Sequence, residues 1–382
     1  MKIAVLGAYQ TKFGERWDKS LKDLMVEAGW GAIKDAEIGK EKIEIAFVGN
    51  KLGGRLTGQN HLGALLAEEL GIFRPAVRVE AACASGGVAV SQACLAIASG
   101  EYKTALVIGA EKMTDAFSPQ TAMALMGAGS EEERQAGLSF VGLYALMAQK
   151  YLADFGASQE DLAWVAVKNH FHGSLNHLAQ FPFEITLEQV LKSPMVADPL
   201  KLLDCSPISD GAAGLVLASE RWAKKLRKKN IWITASVQTS GTLSLAARES
   251  LTSIAATKEA GKRAKKQAGI EGRDVSLLEV HDCFTIAEIL ALEDLGIYKE
   301  GEGFVAVRNG EVRIGGKRPV NLSGGLKACG HPVGATGVKQ IVEIYNQLKG
   351  RGGKKQIKKA KVGLAHNVGG TGGTATVHIL QK

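Results

Sequence analysis

Aromatic residues make up only 6% of the chain, prolines number eight and cysteines five. Too few aromatics accompany the basic residues to form a stacking surface for nucleic acid. The net charge of +8 collects in KKLRKKN (224–230) and KKQIKKAK (354–361), runs without interleaved aromatics that read as solvated helix ends or loops. An odd cysteine count (83, 94, 205, 283, 329) with no CxxC pair argues against a disulfide framework and favours free thiols in a reducing compartment. His281-x-Cys283 and Cys329-x-His331 offer four metal-ligand types, but their one-residue spacing is unlike a zinc knuckle, and no metal is expected. MKIAVLGAYQ lacks a signal-peptide pattern, because Lys2 is followed at once by a short strand-like run. The longest apolar run, residues 81–99, carries Ser85, Ser91 and Gln92, which speaks against a bilayer span and for a helix buried on all sides.

Glycine, by contrast, is abundant. Forty-six glycines without a low-complexity tract imply tight strand-to-helix turns, as in an α/β protein, and 382 residues are many for one core. Strands are expected at 2–7, 43–49, 76–82, 104–113 and 214–220, then again at 233–239, 275–282, 361–367 and 374–380. Ser20 opens a helix with apolar Leu21, Leu24, Met25, Ala28 and Ala32 at helical spacing. Further helices are expected after Cys83, over 253–268, and up to about Leu348. In each half a small-residue turn with one reactive residue opens a helix before a late strand: CASGGVAVSQACLAI first, GHPVGATGVKQIVEI second. This suggests a duplication that would relate Cys83 and His331 by a pseudo-twofold axis. The expected division is 1–115 with 200–229 as the N-terminal half, 116–199 as an inserted loop domain able to cover a ligand, and 230–382 as the C-terminal half.

Cys83 stands where a strand gives way to a helix, so unpaired N–H groups and the helix dipole would favour its thiolate and could hold an oxyanion. A plainly buried cysteine is the competing reading. His331, before a proline suited to a helix's first turn, can lower a neighbouring thiol's pKa or polarise a carbonyl. LEVHDCFTIA (278–287) places His281 and Cys283 at a strand end, where side chains can meet a ligand.

CAS (83–85), HDCF (281–284), GHPVGATG (330–337) and HNVGG (366–370), in this order and at these separations, resemble the motifs of the thiolases, and DCSPISDGAAGLVLASE (204–220) extends the likeness. HDCF and HNVGG resemble the sterol-carrier-protein type and its archaeal relatives. The resemblance implies a five-layered α-β-α-β-α fold of two similar halves with an inserted loop domain. It implies ping-pong acyl transfer between coenzyme A thioesters, with coenzyme A as substrate and product and no cofactor. Cys83 would carry the acyl group, His331 would activate it, and a second acid/base would act on the α-carbon. Most members supply that group as a cysteine in the last glycine-rich motif, where this chain has His366, so the role falls to Cys283. His281, standing where many members have asparagine, would hold an oxyanion with His331. Gly369, Gly370 and His366 would support the second oxyanion turn, and Gly330, Gly334 and Ser323 would touch substrate. Val368 stands where glycine is usual, leaving open which amide donates.

Cys329, Cys94 and Cys205 are read as packing residues, His170, His172 and His177 as solvated loop or CoA contacts, and Asp282 and Glu288 carry no assigned role. The resemblance points to acetoacetyl-CoA synthesis from two acetyl-CoA, feeding the mevalonate route. Thiolysis of longer 3-oxoacyl-CoA, a non-catalytic scaffold, and a decarboxylating ketoacyl synthase are the alternatives. A sequence closing soon after its last strand, on ILQK, leads us to expect no fused lipid carrier and a cytoplasmic enzyme. Expected partners are a second or fourth copy of the chain, 3-hydroxy-3-methylglutaryl-CoA synthase and a small zinc-bearing OB-fold protein, with neither nucleic acid nor membrane.

Overall fold

The computed structural model describes residues 2–226 and 230–382, so Arg227, Lys228 and Lys229 of the first basic run lie outside the described residues. The first half runs β1 (Ile3–Gln10), α1 (Leu21–Ala36), β2 (Ile45–Gly49), α2 (Leu62–Leu70), β3 (Ala76–Val79), α3 (Ser85–Ala98) and β4 (Thr104–Glu111). Then come α4 (Ser118–Met126), α5 (Glu131–Gln135), α6 (Phe140–Phe155), α7 (Gln159–Ser174), α8 (Leu187–Lys192) and a small hairpin, β5 (Met195–Ala197) with β6 (Leu200–Lys201). β7 (Gly211–Ser219) returns to the main sheet and α9 (Glu220–Lys225) follows it. The second half runs β8 (Ile231–Ser240), α10 (Ala255–Ala268), β9 (Leu277–Glu279), α11 (Thr285–Asp294), α12 (Gly303–Arg308), α13 (Thr336–Lys349), β10 (Val362–Gly369) and β11 (Thr374–Gln381).

The strand order is β3-β2-β4-β7-β1-β8-β11-β10-β9. Within the first half, β2 pairs parallel with β4, β4 antiparallel with β7, and β7 antiparallel with β1. In the second, β9 pairs parallel with β10, β10 antiparallel with β11, and β11 antiparallel with β8. One topology therefore occurs twice, and within the sheet the two copies join through the short β1–β8 register at Ile3 to Val5. α3 and α13 pack on each other and on strands of both halves, α1 and α2 cover one outer face, and α10 with α11 covers the other. This is the five-layered α-β-α-β-α arrangement of an α/β protein.

Local chemistry explains the elements. Ser20 caps α1, its hydroxyl accepting from Asp23 N–H while Asp23 accepts from Ser20 N–H, and the spaced apolar residues of α1 are buried as expected. α3 is buried through its first turns, but Leu95 near its end is 61% exposed, so the helix is not enclosed on every side. β3 stops at Val79 and β9 at Glu279, shorter than their apolar runs, because each chain must turn there to present the residues that follow. Among the described residues no helix is long and apolar enough to cross a membrane.

The segment between β4 and β7 is helical and packed rather than a loose loop. α7 packs against α8, α11 and α12, and this buries His170 and His172. His172 Nδ1 lies 3.1 Å from Asn321 O and its Nε2 accepts from Ile314 N–H, while His170 Nδ1 lies 3.1 Å from Phe183 O. Burial without a counter-charge drives them down to about 3 and about 4. They are neutral structural histidines; of the three histidines in this segment, only His177 is exposed.

Candidate active site

Cys83 follows β3 in a turn whose preceding residue, Ala82, has φ +52°, a left-handed conformation that costs a β-carbon-bearing residue energy. Hydrogen bonds hold it: Ala81 N–H donates to Ser85 Oγ, Ser85 O–H to Ala82 O, and Ala82 N–H to Glu80 Oε1. α3 begins only at Ser85, so Cys83 stands just ahead of the helix. The matching turn of the second half is bolted by Glu111, whose carboxylate accepts from Lys51, Leu52 and Gly334 N–H groups and from Asn50 Nδ2. The two turns meet through glycine. A β-carbon on Gly86 would lie 2.6 Å from Gly334 O, and one on Gly337 would lie 2.2 Å from Gly87 N.

This contact brings Cys83 and His331 together, and the β9–α11 loop adds His281 and Cys283. Cys83 Sγ and one ring nitrogen each of His281 and His331 lie within 4.8 Å of one another, and the two imidazoles meet edge to face at 5.0 Å. The hydrogen bonds set the tautomers. Thr336 Oγ1 donates to Pro332 O and so accepts from His331 Nδ1–H at 2.7 Å, leaving a lone pair on Nε2. Asn367 Oδ1 accepts from Gly87 N–H and its Nδ2 donates to His281 Nδ1 at 3.0 Å, which puts the proton on Nε2. That Nε2 is buried without a hydrogen-bond partner among the described residues. One histidine thus presents a lone pair and the other an N–H.

The side chains of Cys83, Cys283, His281 and His331 line one cavity of about 210 Å³ together with Tyr144 and Gly370. Met113, Leu125, Phe140, Val141, Ile208 and Val333 give it an apolar wall. Burial raises the Cys83 thiol against the opposing pull of the Lys51 ammonium and of the N–H groups of Gly370 and of Cys83 itself. Burial, with the Lys339 and Lys51 charges, drives His331 down to about 3. The expected thiolate therefore gives way to a resting pair of thiol and neutral imidazole, because desolvation outweighs the helix end. Cys283 is raised well above its ordinary value by the same burial and by the neighbouring Cys83.

Several expected roles fall elsewhere. Ser323 is fully buried, donates to Glu279 Oε2 and accepts from Lys339 Nζ, so it does not face the cavity. Gly330 packs near Ser209 and Phe13, and Gly334 lies against Ala110 O and Gly49 O; both shape the turn instead of lining the cavity. His366 Nε2 bonds Thr257 Oγ1 on the side of α10, away from the cavity wall. Gly369 packs on Ala81 O, whereas Gly370, at φ +62°, turns its N–H to Cys83. Cys329 sits between Gln10 and Asn176, so the four potential metal ligands do not converge. Cys205, read as packing, reaches the cavity wall but donates its S–H to Lys201 O. Cys94 is buried away from it and pushed up to about 12. All five cysteines are free.

Sequence reading missed Asn367, Lys51 and Tyr144, and it gave Asp282 and Glu288 nothing to do. Asp282 accepts from Leu326 and Lys327 N–H groups and from Asn169, while Glu288 pairs with Lys168 and accepts from Asn169 and Asn321. Together they hold the HDCF loop against the turn that carries His331. A larger, charged cleft of about 620 Å³, lined by Lys258, Arg273, Glu293, Asp294, Lys317 and neighbours, contains none of the reacting groups.

A doubled α/β fold thus delivers a cysteine–histidine pair and a second cysteine to one apolar cavity, groups of the kind that covalent acyl transfer uses. The thiolase N-terminal domain matches residues 3–221 and the thiolase C-terminal domain-like model residues 237–382. The chain belongs to the thiolase family. It is 48% identical to the acetyl-CoA acetyltransferase of Methanothermobacter thermautotrophicus (100% of this chain, 99% of that one). It is 46% identical to that of Methanocaldococcus jannaschii (99% and 98%). The Ltp2-ChsH2(DUF35) aldolase shares the fold at a TM-score of 0.86 and 24% identity, over 99% of this chain and 97% of that one.

Proposed function

We propose that this chain condenses two acetyl-CoA molecules to acetoacetyl-CoA and CoA, reversibly and by a ping-pong route. The observation that carries the reading is the convergence of Cys83, His331, Cys283 and His281 on one apolar cavity. His331 Nε2 takes the Cys83 proton and the thiolate attacks the acetyl carbonyl, forming the C–S bond. The carbonyl oxygen becomes an oxyanion between the N–H groups of Cys83 and Gly370. Collapse breaks the bond to CoA, and Cys283 gives its proton to the departing CoA thiolate. The Cys283 thiolate then takes a proton from the methyl of the second acetyl-CoA, whose enolate oxygen faces His281 Nε2–H. The enolate carbon attacks acetyl-Cys83, and collapse releases acetoacetyl-CoA and returns Cys83 as thiolate beside the His331 imidazolium.

The similarity to two archaeal acetyl-CoA acetyltransferases supports acetyl as the acyl group. A scaffold role is disfavoured by the complete set of reacting groups. The proposed setting is the cytoplasm, at the head of the mevalonate route, with the chain as a homodimer or homotetramer that hands product to 3-hydroxy-3-methylglutaryl-CoA synthase. A small zinc-bearing OB-fold protein is the proposed further partner; that the Ltp2 aldolase is named together with ChsH2 (DUF35) supports a companion subunit. The test is acetoacetyl-CoA cleavage by CoA, with intact-mass detection of acetyl on Cys83. Wild type should turn over, Cys283→Ala should acetylate yet nearly stop, and Cys83→Ala should do neither. Unimpaired turnover by Cys283→Ala would remove that residue from the mechanism.

A further inference from the structure

Tyr144, on the second turn of α6, is 1% exposed. Its O–H donates to Gly370 O at 3.2 Å. Its ring packs at a 38° tilt against Phe284, the residue after Cys283, with centroids 4.8 Å apart, and Tyr144 and Cys283 line the same cavity wall. Gly370 is also the residue whose N–H faces Cys83. One phenol therefore bonds the back of the oxyanion turn and stands on the same wall as the acid/base cysteine. Three hydroxyl side chains stand on the cavity wall, Ser139, Tyr144 and Ser206. Ser139 is committed to capping α6 through Gly142 N–H, and Tyr144 is the one packed on the residue next to Cys283.

The proposed reaction makes Cys283 a thiolate between its two half-reactions, inside a wall that is otherwise mostly apolar. An anion there needs a donor that does not compete with it for the proton. A phenol whose resting acceptor is a neutral carbonyl can turn at the cost of one ordinary hydrogen bond and gain a charge-assisted one. We propose that Tyr144 is a positioning residue for Cys283: it donates to Gly370 O while Cys283 is a thiol and to the Cys283 sulfur while Cys283 is a thiolate. The inference rests on the acyl-transfer reading. It also gives α6 a place in the reaction, because this helix of the inserted segment would hold the acid/base of the C-terminal half.

The experiment is Tyr144→Phe, which keeps the ring and its packing on Phe284. Two steps are read separately: acetylation of Cys83 by acetyl-CoA, from intact mass, and exchange of acetyl-CoA methyl protons in D2O, which reports Cys283 as base. Tm should stay close to wild type and acetylation should fall only slightly, since the CoA thiolate is a good leaving group that needs little help from the Cys283 proton, while exchange should fall on the order of tenfold or more, the scale of one hydrogen bond to an ionised group. The pH midpoint of exchange should rise by about one unit, since the thiolate loses its donor. Normal acetylation with unchanged exchange and midpoint would overturn the Tyr144 role alone. An equal fall in both steps, tracking a lower Tm, would overturn it in favour of plain packing. Wild type that never acetylates Cys83 would overturn the acyl-transfer reading and this proposal together.

Discussion

Asn367 Nδ2 donates to His281 Nδ1 at 3.0 Å, and its other amide atom accepts from Gly87 at the start of α3. One amide on β10 thus fixes the tautomer of a histidine from the second half against the helix that follows the nucleophile in the first. Removing His281 should cost about 10²–10³ in kcat, the scale of a lost oxyanion donor. Asn367→Ala should cost less, on the order of tenfold, by freeing the imidazole to take the wrong tautomer. Steady-state thiolysis of acetoacetyl-CoA checks both; an Asn367→Ala loss larger than that of His281→Ala would contradict the ordering.

His331 is held down to about 3, so its imidazole stays a base as pH falls through the ordinary histidine range. The rate of Cys83 acetylation should therefore show no acid-side inflection near 6.5. Stopped-flow acetylation across pH 5 to 8 measures this, and a midpoint between 6 and 7 on the acid limb that vanishes in His331→Asn would refute it.

Six buried histidines, 170, 172, 281, 331, 366 and 378, all have lowered pKa values, each chiefly through burial. Below about 6.5 the unfolded chain binds protons at these sites that the folded chain refuses, so acidification removes stability. Five carboxylates, four of them buried and Glu293 half-buried, pull the other way: Glu111, Asp204, Asp282, Glu293 and Asp294 are raised, which favours the folded state as pH falls. The histidines outnumber them, so Tm should drop steadily from pH 6.5 toward 4. A Tm flat over that window would mean that the carboxylates dominate.

Lys339, fully buried in α13, bonds Glu279, Ser323 and Gly325 O. Lys339→Met leaves the Glu279 carboxylate buried without its cation and should cost about 3–5 kcal/mol, with recovery in Lys339→Met/Glu279→Gln. Urea unfolding of the three proteins tests the pair; equal losses in single and double variants would mean the charges are not coupled.

Two glycines should respond in opposite senses. Gly86→Ala drives a β-carbon against Gly334 O and should spread the Cys83 and His331 turns, lowering both Tm and acetylation rate. Gly142, inside α6, would meet only Ser139 Oγ and Leu138 at ordinary contact distance, so Gly142→Ala should add about 0.5–1 kcal/mol. Thermal melts of both variants decide it.

Much of this protein was determined by local sequence. The capped, spaced residues of α1, the paired small-residue turns and the reacting side chains set into those turns are readable because helix and strand periods, caps and glycine act over a few residues. Cys83, His281 and Cys283 follow strand ends and His331 stands in the glycine-rich turn ahead of α13, places where the backbone itself advertises a functional side chain. Tertiary structure alone decided what those groups do. Asn367 reaches His281 across 86 residues, Tyr144 reaches Gly370 across 226, and Ser323 turns to Glu279 rather than to substrate. The polar run of α7 was misleading for the same reason. A helix enclosed on several sides buries its polar face too, and partners from distant segments satisfy it. The same enclosure overrode the helix end at Cys83, because desolvation depends on everything packed around a thiol and not on the residues beside it in the chain.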